Sequence, residues 1–562
     1  MVQLRVGPII RAIDTTNVII WVELSQACVV TLRATPYSEQ GGEAGSVSVR
    51  TAMVGGRYYA APQLHGLQPG TWYKYELYTG DEHKSMLADQ AMPLLQCFRT
   101  LDGIDMEREQ HTSPLRLVYG SCRKLDRPQD DTLNVFGNWL TEHFEQREQV
   151  WPHLLLLIGD QIYADEPPST LLRLHPDTQK KNEITMFTDF ACLYEYVWTI
   201  EKGVRQVLAT IPTFMIFDDH EIHNNWGATP GWKMQMIRNG MEQVLVDGLV
   251  AYWIYQGWGN LAQSQNSQHP LLQIMQTAEK DGEDALEALR VCTKDNVYGR
   301  NELAWHYTIP TTPPIFVTNS RADRTSIFRN KADEYYAPTH IMGQQQTTAL
   351  RDWMHKNDAS ISILVSSVPV LLPPFIGFAE YLTGVRLWLN SRIGKQFARL
   401  QLQAARRLGF DHWPAFTGSW NVLLRILKRR KKDILILGGD VHFSYAVEGR
   451  RIFAARSTAR FYQLVSTPFQ NTLGDRERWL IKRQSFIKQT IYGGLRTRVL
   501  HLQRMEETAR IRHHLLFNNI LAYVILQPQG KNEYNIEQEY MGIVEGQMVV
   551  IARTILPCKS LQ

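Results

Sequence analysis

Along the first hundred residues, apolar positions come in short runs broken by turn residues. "NVIIWVEL" (Asn17–Leu24) and "CVVTLRAT" (Cys28–Thr35) are rich in β-branched side chains. "GLQPGTWYKYELYTG" (Gly66–Gly80) alternates Tyr73, Tyr75 and Leu77 behind a Pro-Gly turn. Short runs with a period of two predict strands, so this part reads as all β. From Leu115 the pattern changes. Apolar runs of strand length now alternate with helical stretches, among them Thr132–Glu148, Phe187–Thr210, Met234–Tyr255 and Thr277–Arg290. That alternation predicts an α/β domain. Leu371–Arg430 reads as a helical, Arg-rich insertion and Arg476–His514 as a basic helical stretch. Asn519–Tyr540 reads as a hairpin around a Pro-Gln-Gly turn.

A chain of 562 residues is too long for one ordinary core. The expected organisation is a β-domain over 1–100, a polar linker over 101–114, and an α/β domain over 115–562 with insertions near 260–295 and 371–430. The tyrosine just after the Pro-Gly turn resembles the tyrosine corner of a fibronectin-III or immunoglobulin-like sandwich. Composition is globular, 44% hydrophobic and 21% charged, which excludes global disorder. A net charge of +4 gives no reason to expect specific nucleic-acid binding. The basic run Lys428–Lys432 closes a helical stretch before "DILILGG", where cations complement the helix dipole. The six cysteines show no CxxC and suit a reducing compartment, or one special thiol among inert ones. The start lacks a basic segment followed by a long apolar one, so a cytoplasmic location is expected. "SVPVLLPPFIGFAEYL" (Ser367–Leu382), interrupted by Pro373, Pro374 and Glu380, is too short to span a membrane. "AYWIYQGWGN" (Ala251–Asn260) suits core packing better than stacking on a base or sugar. A monomer is expected.

Candidate chemistry sits at the ends of four apolar runs. "LRLVYGSC" ends in Cys122, and "LLLLIGDQIY" in Asp160 and Tyr163. "IPTFMIFDDHEIHNNWG" ends in Asp218, Asp219, His220 and Glu221, with Asn224 close behind, and "DILILGGDVHFSY" in Asp440 and His442. Sites in α/β sheets form outside the carboxyl ends of strands, so the four ends can meet in one crevice. Several carboxylates gathered there repel one another, and cations relieve that cost. Cys122, Tyr163 and His442 suit a transition metal such as iron, whereas Asp219 and Asp440 are hard donors for calcium, magnesium or manganese. The glycines before the ligands (Gly120, Gly159, Gly438, Gly439) are expected to let the backbone turn sharply. Each end alone would pass for a turn or an inert buried thiol; four together point to a polynuclear metal site.

The motifs "GSC", "GDQIY", "FDDHEIHNN" and "GDVHFS" resemble those of the alkaline phosphatase D (PhoD-like) family, a branch of the calcineurin-like metallophosphatases. The resemblance implies two mixed sheets in a β-sandwich flanked by helices, and hydrolysis of phosphate mono- or diesters by a metal-activated hydroxide. It implies an iron (Fe3+) and calcium centre, with manganese or magnesium as alternatives to calcium. Cys122, Asp160, Tyr163 and His442 match the iron-side ligands, with Asp160 bridging, and Asp219 and Asp440 match ligands of the second site. His220 stands at the catalytic histidine, expected to be hydrogen-bonded to Asp218 or Glu221. Arg321, Arg324 and Asn224 are substrate-binding candidates, the two arginines serving equally well as a structural pair. "IFVTNSRADR" departs from the family's Asp-Thr-Arg-x-x-Arg, with Asn319-Ser320 in place of Asp-Thr. The expected partner is a small phosphate ester or a phosphodiester polymer or lipid. The rivals are a nuclease or nucleotide diesterase on the same centre, and a non-catalytic scaffold that binds a protein or membrane surface.

Overall fold

A computed structural model describes residues 2–38, 45–80, 85–86, 95–103, 113–125, 130–174, 184–229, 231–261, 268–324, 340–357, 359–385, 392–429, 432–452, 459–530 and 533–556. Most of the expected linker, part of the loop after Asn260, and Arg430 and Lys431 of the basic run lie outside these residues.

The amino-terminal part is all β, in two sheets. One has the order Leu4–Ile13, Val18–Leu24, Arg57–Ala60, Ala52–Val54, with Gln63–Leu64 also on Val18–Leu24. The other runs Gly45–Arg50, Val29–Pro36, Trp72–Thr79, Cys97–Arg99. The alternation in Trp72–Thr79 buries Tyr73, Tyr75 and Leu77, and the Tyr73 hydroxyl accepts the Gln68 N–H at 2.8 Å.

Two larger mixed sheets follow. In the seven-stranded sheet, Thr213–Met215, Leu154–Leu157 and Leu115–Gly120 are parallel, and Leu521–Gly530 pairs antiparallel beside them. Leu521–Gly530 pairs in turn with Glu533–Val544, the expected hairpin. In the eight-stranded sheet, Ile315–Val317, Ile361–Ser366, Asp433–Gly438 and Phe461–Val465 are parallel neighbours. Alternate residues of these strands serve two cores. Ile363, Val365, Leu435 and Leu437 share one with Leu117, Leu155 and Val524 of the other sheet. Leu364, Ile434 and Ile436 enter a second with Leu350 and Leu423, on the helices Gln344–Lys356 and Thr417–Arg429.

Several helical expectations need correction. Thr277–Arg290 is two helices, Pro270–Asp281 and Leu286–Val297, parted at Gly282, whose φ of 74° ends the first. The helix expected over Phe187–Thr210 breaks after Thr199, and that over Met234–Tyr255 breaks after Arg238. The one expected over Thr132–Glu148 stops at Glu142. Of the basic stretch Arg476–His514, only Asp475–Gln484 is helical. Leu495–Val499 buries every second residue and leaves Arg496 and Arg498 exposed, the period of a strand.

The β-unit meets the α/β part at a buried joint. All of Ala251–Asn260 is buried, as core packing predicts. The Tyr255 hydroxyl donates to Glu23 at 2.7 Å, Arg57 bridges Glu23 and Glu195, and Arg11 donates to Asn260 at 2.9 Å. A cavity of about 200 Å3 lies there too, lined by Val47, Val49, His65, Trp258 and Glu279.

Candidate metal centre

The four strand ends converge. Three belong to neighbouring parallel strands of the seven-stranded sheet and the fourth to the eight-stranded sheet. The Cys122 N–H donates to the Gly159 carbonyl at 3.2 Å, and the Asp440 N–H to the Ser121 hydroxyl at 3.0 Å. Cys122 Sγ lies 3.5 Å from Asp160 Oδ2. The donor atoms of Cys122, Asp160 and His442 all lie within 4.8 Å of one another, and so do those of Asp160, Asp219 and His220. Asp218, Asp219 and Asp440 form a third such group, and Asp411, His412 and Asp440 a fourth.

The backbone makes this meeting possible at a cost. Cys122, Asp160, Asp440 and His442 have φ of 59°, 52°, 69° and 58°, in the left-handed region that side chains avoid. The expected division, with glycine turning so that its neighbour can ligate, therefore needs correction. The turn falls on the ligands themselves, which re-aims each side chain into the crevice. Gly159 does turn, with φ of 110°, but Gly439 is needed for closeness: a Cβ there would lie 2.4 Å from Ser121 Oγ. Residues held this way cluster at functional sites.

Burial opposes ionisation of the donors, but at Asp440 the Arg321 charge and the His412 bond outweigh it and hold the carboxyl below its usual range. Burial pushes the Asp160 carboxyl well up, and the Asp218 charge adds to that. Burial, with Asp160 beside them, does the same to the Cys122 thiol and, after the Cys122 charge, to the Tyr163 phenol. Burial pulls the His442 imidazole down to about 4, leaving it neutral, the form that binds metal. One buried oxygen of Asp218 has no hydrogen-bond partner. Thiol, phenol, imidazole and carboxylates that ionise only against their own burial are a donor set that fits metal ions. The Tyr163 hydroxyl accepts from Asn471 Nδ2 at 2.9 Å, and the residue borders a cavity of about 330 Å3 lined by Lys124, Glu166, Pro167 and Val197.

His220 lies among the donors, but its partner differs from expectation. Nδ1 is 2.8 Å from Asp165 Oδ1 and does not bond Asp218 or Glu221. Burial alone would lower this imidazole, but Asp160, Asp165 and Asp219 outweigh it and carry it up to about 10. Glu221 is occupied elsewhere. It accepts the backbone N–H groups of Asp160 at 3.0 Å, Gln161 at 2.7 Å and Asp218 at 2.7 Å, fastening two strand ends together. Asp218 pairs with Arg321.

The arginines have less freedom than a substrate clamp needs. Arg321 is buried among Asp218, Asp219, Asp411 and Asp440, its Nη2 3.5 Å from Asp219 and 3.3 Å from Asp440. Arg324 donates to Asp411 Oδ2 at 3.0 Å and to the carbonyls of Asp411, Ser320 and Trp226. Of the two readings the sequence allows, this geometry is that of the structural pair. Asn224 is exposed, with its N–H donating to Asp165 Oδ2 at 2.8 Å. Asn319 Oδ1 accepts the N–H groups of Arg321 and Ala322 at 3.0 and 2.8 Å, a turn bond that needs an oxygen but no charge.

Sequence reasoning missed the residues that the helical insertion delivers. His412 Nε2 lies 3.0 Å from Asp440 Oδ2, and its Nδ1 lies 3.1 Å from Glu380 Oε2. Asp411 neutralises both arginines. The adjacent Asp-His in "GFDHWP" was the available signal, but no strand precedes it. Asp165, two residues before the first Pro of "EPPS", was equally silent.

The profile of the PhoD-like phosphatase family matches residues 117–280, and a domain of unknown function (DUF7800) matches residues 1–97. No curated protein matches the chain in sequence. A solved structure described as "Structure of PhoD" superposes with a TM-score of 0.60 at 12% identity, covering 98% of this chain and 88% of that one. Likeness at that identity shows the fold. Another, "GAP50 the anchor in the inner membrane complex of Plasmodium", aligns with a TM-score of 0.33 at 10% identity over 80% of this chain and 90% of that one, too weakly to carry an argument. Residues 117–280, which hold three of the four strand-end motifs, match the PhoD-like phosphatase family that those motifs resemble.

Proposed function

We propose that this chain is a metal-dependent phosphoesterase. One observation carries the reading: four donors from three separate strand ends, Cys122, Asp160, Asp440 and His442, turned into one crevice by left-handed backbone. Cys122, Asp160, Tyr163 and His442 would hold iron, and Asp219 and Asp440 a harder ion such as calcium. Bound ions supply Lewis acidity, polarising phosphoryl oxygens and acidifying water. The chain's own residues do the rest. His220, oriented by Asp165, holds a proton for the departing oxygen. Glu221 and Asp218 keep the strand ends in register, and Arg321 and Arg324 carry Asp411 into the site rather than binding phosphate themselves. The cavity beside Tyr163 is open enough for a leaving group, with Lys124 at its wall. For the amino-terminal unit, the strand order and the Tyr73 bond support a fibronectin-III-like sandwich.

Hydrolysis of bis-p-nitrophenyl phosphate and of p-nitrophenyl phosphate, before and after chelation, tests the reading, with bound metal measured throughout. Turnover should fall with metal content and return on reloading. Freshly purified protein should absorb visible light, in a band that Tyr163→Phe alters. Metal-loaded protein that hydrolyses neither ester would overturn the assignment.

A further inference from the structure

The helical insertion turns two faces in different directions. Inward, Glu380 and His412 reach Asp440. Outward, the helix Arg392–Leu408 packs the opposite way from a core helix. Its small Gly394 and Ala398 are buried, while Ile393, Phe397 and Leu400 are 72%, 46% and 62% exposed. Positions i, i+4 and i+7 share a helix face, so three large apolar side chains form one stripe toward water. Gln401 ties this helix to Pro374–Gly384 by donating to the Leu382 and Val385 carbonyls at 2.7 and 2.9 Å. That second helix adds Phe378 and Leu382, 37% and 48% exposed. An uncovered apolar stripe of this kind marks an interaction surface.

Charge indicates what covers it. Arg392–Leu408 carries Arg392, Lys395, Arg399, Arg406 and Arg407 and no Asp or Glu, in a chain whose net charge is only +4. The same combination recurs nearby in sequence, where Trp479 and Phe486, 52% and 64% exposed, line an open cavity with Lys482, Arg483 and Arg512. A second copy of this chain would bring cations against cations. Aromatic and aliphatic side chains set among cations are the chemistry of a helix lying in the headgroup region of an anionic bilayer. Among the described residues no helix is long and apolar enough to cross a membrane, so the contact is one of lying on the surface.

We propose that the outer face of the insertion docks the protein on an anionic lipid surface, with Ile393, Phe397 and Leu400 entering the acyl boundary and the positive charge of this helix drawing it to lipid phosphates. This inference does not depend on the phosphoesterase reading, because it is tested by binding alone. The full chain should pellet with phosphatidylcholine vesicles containing about a third phosphatidylglycerol, much less with phosphatidylcholine alone, and less again as salt screens the charges. The combined variant Ile393→Ser, Phe397→Ser, Leu400→Ser should bind anionic vesicles at least about tenfold more weakly. Its unfolding temperature and its turnover of a soluble ester should stay those of the parent. Should that variant fold poorly, Arg392→Glu and Trp479→Ser, each made alone, should weaken vesicle binding with the fold intact. The proposal falls if the parent protein ignores anionic vesicles, or if no variant changes its binding. It also falls if sedimentation shows a parent dimer that the triple variant dissolves, since a second copy then covers the stripe.

Discussion

Two buried clusters of charge differ in how completely they are paired. At the joint with the amino-terminal unit, Glu23 is enclosed by Arg57 and by the Tyr255 hydroxyl, and Arg57 also reaches Glu195. Each of these four groups has a partner of its own, although among the described residues the nearby buried Arg11 has two guanidinium nitrogens without one. At the strand ends, Asp218, Asp219, Asp411 and Asp440 crowd around Arg321, Asp160 lies close to Asp219, and among the described residues one buried Asp218 oxygen has no hydrogen-bond partner. The same burial penalty acts on both clusters. Paired acids make the first a structural fastening, and the surplus of carboxylate makes the second a place for a cation. A buried acid is thus a weak signal of function until its partners have been traced.

The comparison breaks most sharply at Asp160. Asp160→Asn should remove metal and lower turnover by about a thousandfold or more, the loss of several kcal/mol of charge stabilisation. In metal-free protein the same change should raise stability, because an uncompensated buried carboxyl is gone; metal analysis and denaturant unfolding check both halves. Arg57→Met should do the reverse. It leaves Glu23 buried and unpaired, so stability should fall by about 3–5 kcal/mol in urea unfolding while bound metal per folded chain is unchanged. Next comes the histidine. His220→Ala should cost about a hundredfold in turnover of alkyl phosphate esters with metal content near normal. The defect should shrink on p-nitrophenyl esters, whose leaving group needs little protonation. Asp165→Asn, which removes the charge that helps His220 keep its proton and leaves one acceptor oxygen for His220 and Asn224, should cost about tenfold.

The smallest effect belongs to the joint cavity. Burial lifts the Glu279 carboxyl from 4.5 to about 7. The folded state therefore holds its proton more tightly than the unfolded one, and this contribution to stability is complete below about 4.5 and is lost as pH rises to about 7. Glu279→Gln should flatten that part of the stability profile and be the more stable protein above pH 7, as thermal unfolding across the range would reveal.

The strand-end donors were legible because each follows an apolar run, so pattern and chemistry coincide in the chain. Cys122, Asp160, Asp219, Asp440 and His442 could all be assigned to one crevice from the sequence, although their strands belong to two sheets. What was illegible depends on contacts between distant segments. Nothing local distinguishes Asp165 from other loop acids, and only folding brings it to His220. Asp411 and His412 follow a helix instead of a strand, so the rule that found the others passes over them. Arg321 and Arg324 were recognised but their occupation was not, since their carboxylate partners come from three separate segments. Leu495–Val499 was masked by its arginines: counting charge suggested a basic helix, whereas the alternation inside that short run was already that of a strand.

Four donors locked by their own dihedral angles also bear on when the centre can be filled. A flexible loop must be ordered around an arriving ion, and the entropy of that ordering opposes binding. Here Cys122, Asp160, Asp440 and His442 are placed by strands that fold for reasons of their own, so the ordering has already happened when the ion arrives. Loading is thereby separated from folding. An ion that reaches these four residues meets a backbone already held by the strands around it.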